Sequence, residues 1–212
     1  MIVFFQNNKM EKQNQTQKTL SIYLSGQYGV GKTLLLLPEQ DDTYFKKRTT
    51  NDSLINGFTT IKTKINNNEI IINIFDYRPP GCFGNHLPMY LGKADIILFV
   101  YDITNHHSFE DINTIFLHQT NKVLQKTQTN PKKVLVGNKI DFKEERTVSI
   151  QEATDFANYH QMEYYEISAK TRKNVIEMFD EIIKEITEKS KPNKKIIFLS
   201  SIEREQGNAC LS

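Results

Sequence analysis

The sequence predicts an α/β fold in which a mostly parallel six-stranded sheet carries helices on both faces. Short apolar runs typical of buried strands alternate with amphipathic helical patterns along the 212-residue chain, and such alternation favours parallel strands. One strand–turn–strand pattern adds a single antiparallel pair. A Gly-rich segment at residues 26–33 separates the first strand from the first helix, which is where α/β proteins bind phosphate groups.

The strand predictions rest on composition and on alternation of apolar and polar residues. The longest apolar run, at residues 96–101, has the continuous apolar character of a strand covered on both faces. Asn-rich residues 66–68 separate two alternating runs and predict the hairpin. The six strand segments are residues 19–25, 61–65, 69–76, 94–101, 133–137 and 163–167.

Helical patterns fill the spaces between the later strands. Ser108 is expected to cap a helix that starts at Phe109. Ser149, with Glu152 three residues later, has the pattern of a capping box. Pro38 is expected to end the first helix early, because its ring cannot continue a helix. The final helix has the clearest apolar stripe, which consists of Val175, Ile176, Phe179, Ile182, Ile183 and Ile186.

The overall composition excludes several classes of protein. The chain is 38% hydrophobic and 25% charged, which is typical of a soluble globular protein. A net charge of +2 is too small to indicate nucleic-acid binding, and the longest apolar run is too short for a membrane span. Cys82 and Cys210 form neither a disulfide framework nor a metal-ligand pattern, which favours a reducing compartment. The apolar start at residues 1–5 makes a poor signal peptide, since no basic residue precedes it.

Residues 26–33 read Gly-Gln-Tyr-Gly-Val-Gly-Lys-Thr, a complete G-x-x-x-x-G-K-[ST] motif. Successive backbone N–H groups and the helix dipole attract a phosphate group in this motif. Lys32 is expected to reach the terminal phosphates of a nucleotide, and the Thr33 hydroxyl is expected to ligate Mg²⁺. An ordinary Gly-rich turn is the alternative, which the flanking strand and helix disfavour. The predicted phosphate-binding residues are Gly26, Gln27, Tyr28, Gly29, Val30, Gly31, Lys32, Thr33 and Leu34.

Two later motifs follow the strands at 133–137 and 163–167, namely Asn138-Lys-Ile-Asp141 and Ser168-Ala-Lys170. With these motifs, and with Asp41-Asp-Thr-Tyr44 and Tyr101-Asp-Ile-Thr104, the chain resembles the Ras-like small GTPases, and the Rab branch most closely. The resemblance covers residues 18–189 and implies a P-loop NTPase G domain that binds GTP and GDP with Mg²⁺. A disordered extension at residues 1–17 and a flexible tail at 190–212 are expected on either side.

The choice of guanine follows from the chemistry of Asp141. Its carboxylate can accept two hydrogen bonds, from the ring N–H and the exocyclic amine of guanine, whereas adenine would leave it unpaired at a cost of about 1–3 kcal/mol. The resemblance places Asn138 at the Hoogsteen edge of the base and the Ala169 N–H at its carbonyl oxygen. It also implies that Tyr44 and Lys139 cover the two faces of the base, with Ser168 and Lys170 in the loop of Ala169.

Tyr28 is the first of three departures from the family pattern, and all three concern GTP hydrolysis. The resemblance places this position beside the γ-phosphate, where the family usually has a small residue. A tyrosine ring there is expected to obstruct the attacking water or an arginine supplied by a partner. The alternative is that the ring turns to solvent.

The second departure is the segment Asp76-Tyr-Arg-Pro-Pro-Gly-Cys82, which stands where the family has Asp-x-x-Gly-Gln. By resemblance, Asp76 still approaches Mg²⁺ through water. Gly81, whose N–H would sense the γ-phosphate and which with Lys32 is assigned to catalysis, comes two residues late. Cys82 then stands at the position of the water-orienting Gln, and a thiol cannot reproduce the hydrogen bonds of an amide.

The third departure is the loop that should supply the Mg²⁺-sensing Thr of the family. Counting from the neighbouring motifs favours Ser53 or Thr50, and Ser53 is assigned as the third metal ligand with Thr33 and Asp76. The other candidates that remain open in this region are Thr49, Thr59 and Thr60.

The tail carries Lys189, Lys191, Lys194 and Lys195, followed near the end by Cys210. Rab-like proteins have prenylated C-terminal cysteines, so the resemblance implies attachment to the cytosolic face of an endomembrane. Cys210 is third from the end, however, and does not complete a C-a-a-X motif, so an unmodified tail in the cytoplasm is the alternative.

Together these features predict a Rab-like guanine-nucleotide switch with weak GTP hydrolysis, acting in vesicle trafficking or signalling. Protein effectors and exchange factors are the expected partners, through the switch loops of a monomer, and nucleic acid is not expected. A pseudo-GTPase scaffold that does not cycle between nucleotides is the alternative. An unrelated P-loop kinase or ATPase is disfavoured by Asn138-Lys-Ile-Asp141.

Overall fold

A computed structural model of the chain describes residues 18–36, 58–65, 68–76 and 90–189. The chain divides into two compact units, residues 1–176 and residues 177–212. The sheet and the predicted nucleotide motifs belong to the first unit, and most of the last helix belongs to the second.

The sheet has six strands in the order β2-β3-β1-β4-β5-β6. Every neighbouring pair is parallel except β2 and β3, which form the antiparallel hairpin. This arrangement confirms the predicted fold class, a mostly parallel sheet with one hairpin. The strands are β1 Lys18–Ser25, β2 Phe58–Ile65, β3 Asn68–Asp76, β4 Ile96–Asp102, β5 Lys132–Asn138 and β6 Glu163–Glu166.

α-Helices, one π-helical segment and one 3₁₀ segment are described between the strands. Helix α2 runs without interruption through a π-helical segment, Ile112–Leu117, into α3, and a 3₁₀ segment, Ile140–Glu145, follows β5. The first helix ends at Leu35, early as the proline at position 38 predicts. In the part of the chain that the structure describes, the helices with defined bounds are α1 Lys32–Leu35, α2 His106–Asp111, α3 His118–Thr127, α4 Ile150–Tyr159 and α5 Val175–Lys189.

The predicted cap of α2 is wrong. The helix begins at His106, and the Asn105 side chain accepts a hydrogen bond from the Ser108 N–H at 3.4 Å. Ser108 lies inside the helix, where its Oγ accepts from the Asp102 N–H at 3.0 Å. Asn and Ser are about equally good N-cap residues, so local preference allowed either position to start the helix. The pattern of capping residues alone could not rank the two candidates.

The predicted cap of α4 is confirmed in part. Ser149 Oγ accepts a hydrogen bond from the Glu152 N–H at 3.1 Å, as expected of a helix N-cap. The Glu152 carboxylate instead lies 2.9 Å from Nε2 of His106, which joins α4 to the start of α2. That hydrogen bond raises the pKa of His106.

The core is built around the middle of the sheet, where all seven residues of β4 are buried. Side chains of α2, α3 and α4 pack into the same apolar cluster, among them Phe109, Val123 and Ala153. In α5, Val175, Phe179, Ile182 and Ile183 of the predicted stripe are buried, and Met178 joins them. None of the helices that the structure describes has the length and apolar character needed to cross a lipid bilayer.

A partly buried chain of polar side chains starts at Tyr101 in β4 and ends at Arg146. The Tyr101 and Tyr164 hydroxyls are 3.0 Å apart, and Tyr164 donates to Glu166 at 2.6 Å. Arg146 binds both carboxylate oxygens of Glu166, at 2.7 and 2.9 Å. Burial raises the pKa of both tyrosines, so they remain neutral donors. The chain fixes the position of the Tyr101 hydroxyl above Gly137.

We predict that Gly137→Ala lowers the free energy of unfolding by about 1–3 kcal/mol, because overpacking a core has this cost. A Cβ at this position would lie 2.8 Å from the Tyr101 hydroxyl oxygen. Tyr101→Phe removes that oxygen but leaves the ring carbon Cζ at 3.1 Å and Ile103 Cγ2 at 3.2 Å from the added Cβ. Gly137→Ala should therefore cost less stability in the Tyr101→Phe background than in the wild type, without becoming neutral. Urea denaturation of the four proteins measures the cycle, and equal stability of Gly137→Ala and wild type would contradict it.

Candidate functional site

The predicted nucleotide motifs meet at one edge of the sheet. The parallel strands β1, β3, β4, β5 and β6 all end there, and ligands of open α/β sheets bind outside these carboxyl ends. The phosphate loop follows β1, Asp76 ends β3, Asp102 ends β4, Asn138 ends β5, and the loop of Ser168 follows β6. The fold therefore assembles side chains that are far apart in sequence.

The path of the phosphate loop depends on two glycines. Gly26 has a φ of 143°, and a Cβ there would lie 2.1 Å from the carbonyl oxygen of Val100 on β4. Gly31 has a φ of 98°, and its Cβ would lie 2.3 Å from Nδ2 of Asn138. Only glycine combines these backbone angles with such close approach. The loop is thereby held against the ends of β4 and β5.

Lys32 is buried, and its ammonium group lies against the phosphate loop. Nζ donates hydrogen bonds to the carbonyl oxygens of Gly26 at 2.8 Å and Gln27 at 2.7 Å. The positive charge is therefore held over the backbone segment whose N–H groups form the predicted phosphate cradle. A fixed ammonium in this position stabilises negative charge on a bound phosphate group.

The predicted metal ligands Thr33 and Asp76 lie together. The Thr33 hydroxyl donates to Oδ2 of Asp76. The Asp76 residue is only 6% exposed, and its other carboxylate oxygen, Oδ1, has no hydrogen-bond partner among the described residues. A buried carboxylate oxygen without a partner is costly. Hydroxyl and carboxylate oxygens are the ligands that Mg²⁺ prefers, so these two residues fit that cation.

The third predicted metal ligand, Ser53, and the candidates Thr49 and Thr50 lie outside the described residues. Thr60 donates to Oδ1 of Asn73 across the hairpin at 3.0 Å, which occupies its hydroxyl hydrogen. Thr59 is buried within β2. The identity of the loop ligand therefore stays a prediction.

Asn138 joins three segments of the site. Its Nδ2 donates to the Val30 carbonyl oxygen in the phosphate loop at 2.7 Å. Its Oδ1 accepts from the Ala169 N–H at 2.9 Å. The sequence interpretation assigned the Asn138 side chain and the Ala169 N–H to the base, whereas in this structure they bind each other. Asn138 therefore fixes the phosphate loop relative to the loop that contains Ala169.

Asp141 is held by the loop that follows β6. Ser168 Oγ donates to Oδ1 of Asp141 at 2.7 Å and accepts from the Thr171 N–H at 3.0 Å. Lys170 Nζ lies 4.0 Å from Oδ2 of Asp141 and 4.9 Å from the centre of the Phe142 ring. The carboxylate thus has one oxygen fixed by a hydroxyl and a positive charge near the other.

Lys139 has a partner that the sequence analysis missed. Its Nζ lies 2.6 Å from Oδ2 of Asp102, and Oδ1 of Asp102 accepts from the Thr104 N–H and hydroxyl at 2.9 and 2.8 Å. Lys139 itself has a left-handed backbone, with φ of 72°. The sequence analysis noted Asp102 within the motif at residues 101–104. It could not predict the ion pair, because Asp102 and Lys139 are far apart in sequence.

The sequence of the chain matches those of a known family. The family model described as the Ras family matches residues 21–188. The chain belongs to the Ras family. The Ras-related protein Rab-1 of Theileria parva is 38% identical to it over 169 residues, which cover 79% of this chain and 74% of the relative.

Two further relatives support the Rab-like branch that the sequence predicted. The Ras-related protein Rab-18 of Caenorhabditis elegans is 32% identical over 169 residues, covering 79% of this chain and 80% of the relative. The GTP-binding protein ypt2 of Schizosaccharomyces pombe is 31% identical over 167 residues, with the same two coverages. The chain is thus a Rab-like member of the Ras family.

The remaining predicted residues of this Ras-family site differ in how they are held. Tyr28 is 88% exposed, so its neighbours among the described residues do not fix the ring. Leu34, at the start of α1, is also exposed. Tyr44 and Gly81 lie outside the described residues, as does Cys82. The obstruction by Tyr28 that the sequence suggested stays a prediction.

We predict that Gly31→Ala destabilises the protein by about 2–4 kcal/mol, the sum of a left-handed backbone angle and a clash with Asn138. Gly29→Ala is the matched control. Gly29 also has a positive φ, of 84°, but a Cβ there would meet no atom within 4 Å. It should therefore cost only about 1–2 kcal/mol. Urea denaturation measures both, and equal losses would contradict a role for the Asn138 contact.

Proposed function

We propose that this protein is a guanine-nucleotide switch of the Rab type that binds GDP and GTP and hydrolyses GTP weakly. The observation that carries the proposal is the double hydrogen bond of Asn138, which ties the phosphate loop at Val30 to the loop of Ala169. A site that recognises a base and a phosphate chain together needs these two loops in a fixed relation.

The chemistry of Asp141 supports guanine as the base. Ser168 donates to one carboxylate oxygen, and this hydrogen bond keeps the side chain in one orientation. An ionised carboxylate accepts hydrogen bonds and donates none. The ring N–H and the amine of guanine supply two donors on one edge, whereas adenine supplies no such pair.

Lys32, Thr33 and Asp76 support the binding of the phosphate chain. The Lys32 ammonium would neutralise charge on the terminal phosphates, and Thr33 with Asp76 would hold Mg²⁺. When bound, that cation neutralises charge on the phosphate oxygens. We also propose Ser53 as the ligand from the first switch loop.

Weak hydrolysis is proposed from the residues around the γ-phosphate. Tyr28 replaces a small residue of the family, and Cys82 replaces the water-orienting Gln, two positions after the usual place. The N–H of Gly81 would contact the γ-phosphate. Intrinsic hydrolysis by Ras is already slow, about 10⁻⁴ s⁻¹, and depends on positioning of the water. Substitutions that disturb this positioning lower the rate while leaving nucleotide binding intact.

The cellular role is proposed from the relatives. Proteins named Rab support a switch in vesicle trafficking or signalling, in which effectors and exchange factors bind the switch loops. We further propose a monomer whose domain spans residues 18–189, with a tail that attaches through prenylated Cys210 to the cytosolic face of an endomembrane. Intact-mass measurement of protein from its native cells decides whether Cys210 is modified.

A pseudo-GTPase scaffold is the second candidate, and one observation favours it. Lys32 Nζ is already bonded to two carbonyl oxygens, and the Ala169 N–H to Asn138, so these groups need no nucleotide to be satisfied. Such a protein would present its surface to partners without cycling.

We predict that calorimetry will detect binding of GTP and GDP and none of ATP. Asp141→Asn should weaken GTP binding by about 10- to 100-fold, because the amide N–H₂ faces the amine of guanine. The same variant should bind XTP better than wild type, since xanthine has a carbonyl oxygen at that position. Ser168 can still donate to the amide oxygen. Uptake of ATP as readily as GTP would contradict the assignment, and binding of neither would favour the scaffold.

We predict that single-turnover hydrolysis of GTP is slower than about 10⁻⁴ s⁻¹. The Tyr28→Gly, Cys82→Gln double variant should be faster by about 10- to 100-fold, because a misplaced reacting group costs a factor of this size. GTP affinity, measured in parallel, should change little. A wild-type rate at or above the Ras value would contradict weak hydrolysis.

A further inference from the structure

A hydrogen bond joins two segments 137 residues apart in sequence, both in the first unit of the chain. Arg172 donates from a terminal guanidinium nitrogen to the carbonyl oxygen of Leu35 at 2.9 Å. Leu35 is the last residue of α1, and Arg172 lies in the loop that follows β6. The contact therefore joins the helix of the phosphate site to the loop of the base site.

Helix α1 is held at its C-terminal end by the buried side chains of Leu35 and Leu36 and by the hydrogen bond of Arg172 to the Leu35 carbonyl oxygen. It comprises only four residues, and two of them are Lys32 and Thr33. Within the helix, the Leu35 N–H donates to Gly31 at 3.2 Å, and the Leu36 N–H donates to Thr33 at 3.1 Å. The last carbonyl oxygens of any helix have no partners of their own, and a positive charge at that end is favourable. Arg172 supplies both the donor and the charge.

The backbone around Arg172 is fixed by its own hydrogen bonds. Its φ is 61°, in the left-handed region that a non-glycine residue adopts only when its surroundings require it. The Ser168 N–H donates to the Lys173 carbonyl oxygen at 3.1 Å, and the Val175 N–H donates to that of Arg172 at 3.2 Å. Asn174 Nδ2 donates to the Glu166 carbonyl oxygen at 2.8 Å. The guanidinium therefore extends from a rigid loop.

That same loop holds Asp141 through Ser168. The phosphate loop and α1 are consequently tied to the base loops at two points, at Val30 through Asn138 and at Leu35 through Arg172. Lys32 and Thr33 lie between these two points. Without the second point, the carbonyl end of α1 would be held by burial of its side chains and no longer by a hydrogen bond to the loop of Arg172.

We propose that Arg172 is a positioning residue for the phosphate end of the nucleotide, acting through the Leu35 carbonyl oxygen on Lys32 and Thr33. The proposal rests on the proposed binding of guanine nucleotides. It assigns to Arg172 no contact with the ligand. Loss of its side chain should therefore weaken binding of the phosphates that Lys32 and Thr33 reach, and should spare binding of the base.

The test compares GDP with GMP, which keeps the base, the ribose and one phosphate group. Arg172→Met keeps most of the apolar stem and removes the guanidinium. It should weaken GDP binding about tenfold, because displacement of Lys32 and Thr33 would weaken the charge-assisted contacts that they make with the phosphates. It should weaken GMP binding less than about twofold. Calorimetry or competition with a fluorescent GDP derivative in Mg²⁺ measures both constants on the full chain.

Two further variants keep the test sharp. Arg172→Lys retains the positive charge, so it should recover part of the GDP affinity and should fold even if Arg172→Met does not. Lys173→Met removes a charge from the adjacent exposed residue and should leave both affinities unchanged. Thermal melting of each protein without nucleotide reports whether the fold is retained.

Equal weakening of GDP and GMP would overturn the proposal, because it would indicate damage to the base loops or to the fold. Unchanged GDP affinity in Arg172→Met and Arg172→Lys would overturn it as well. Failure of the wild-type protein to bind GDP is a separate result. It would overturn the proposed function itself, whatever the variants do.

Discussion

The proposed nucleotide site is built around one buried side chain, Asn138, and the two hydrogen bonds that it makes. Its amide donates to Val30 and accepts from Ala169, so one residue at the end of β5 fixes two loops from distant parts of the chain. The amide is buried, where a hydrogen bond lost by one partner leaves the other unsatisfied at a cost of about 1–3 kcal/mol.

Several constraints follow from the position of Asn138 in the sheet. β5 pairs with β4 and β6, and residues 134–137, directly before Asn138, are buried. Gly31 has room for no Cβ because the Asn138 amide occupies that space. The residue after it, Lys139, takes a left-handed backbone that turns the chain toward Asp141. The geometry of the base loop is thus a consequence of where the strand ends.

Much of the fold could be predicted from the sequence because the strands have local patterns. Each of the six predicted segments overlaps an observed strand. The central strand β4 is a continuous apolar run because it is covered on both faces, whereas alternation and an Asn-rich turn predicted the hairpin of β2 and β3. The phosphate loop was equally visible, because glycines and a lysine at fixed spacing are needed for its chemistry. The short first helix followed from a single proline.

The contacts that define the site could not be predicted in the same way. Three of these contacts join residues that are far apart in sequence, so helix or strand periodicity gives no signal of them. They link Asn138 to Val30, Asp102 to Lys139 and Arg172 to Leu35. Helix propensities of single residues also could not predict the Asn105 cap of α2 or the π-helical segment that follows α2. Side-chain pairing across strand ends requires the register of the sheet, which the sequence pattern alone leaves open.

The ion pair between Lys139 and Asp102 has a consequence for the thermodynamics of ligand binding. Ordering a long side chain on association costs about 0.5–1.5 kcal/mol of conformational entropy. Because Lys139 is already held by Asp102, which Thr104 holds in turn, that loss is incurred when the chain folds. If the protein binds a flat aromatic base as proposed, the methylene groups of Lys139 would meet it as a prearranged surface, with the ammonium charge neutralised by Asp102.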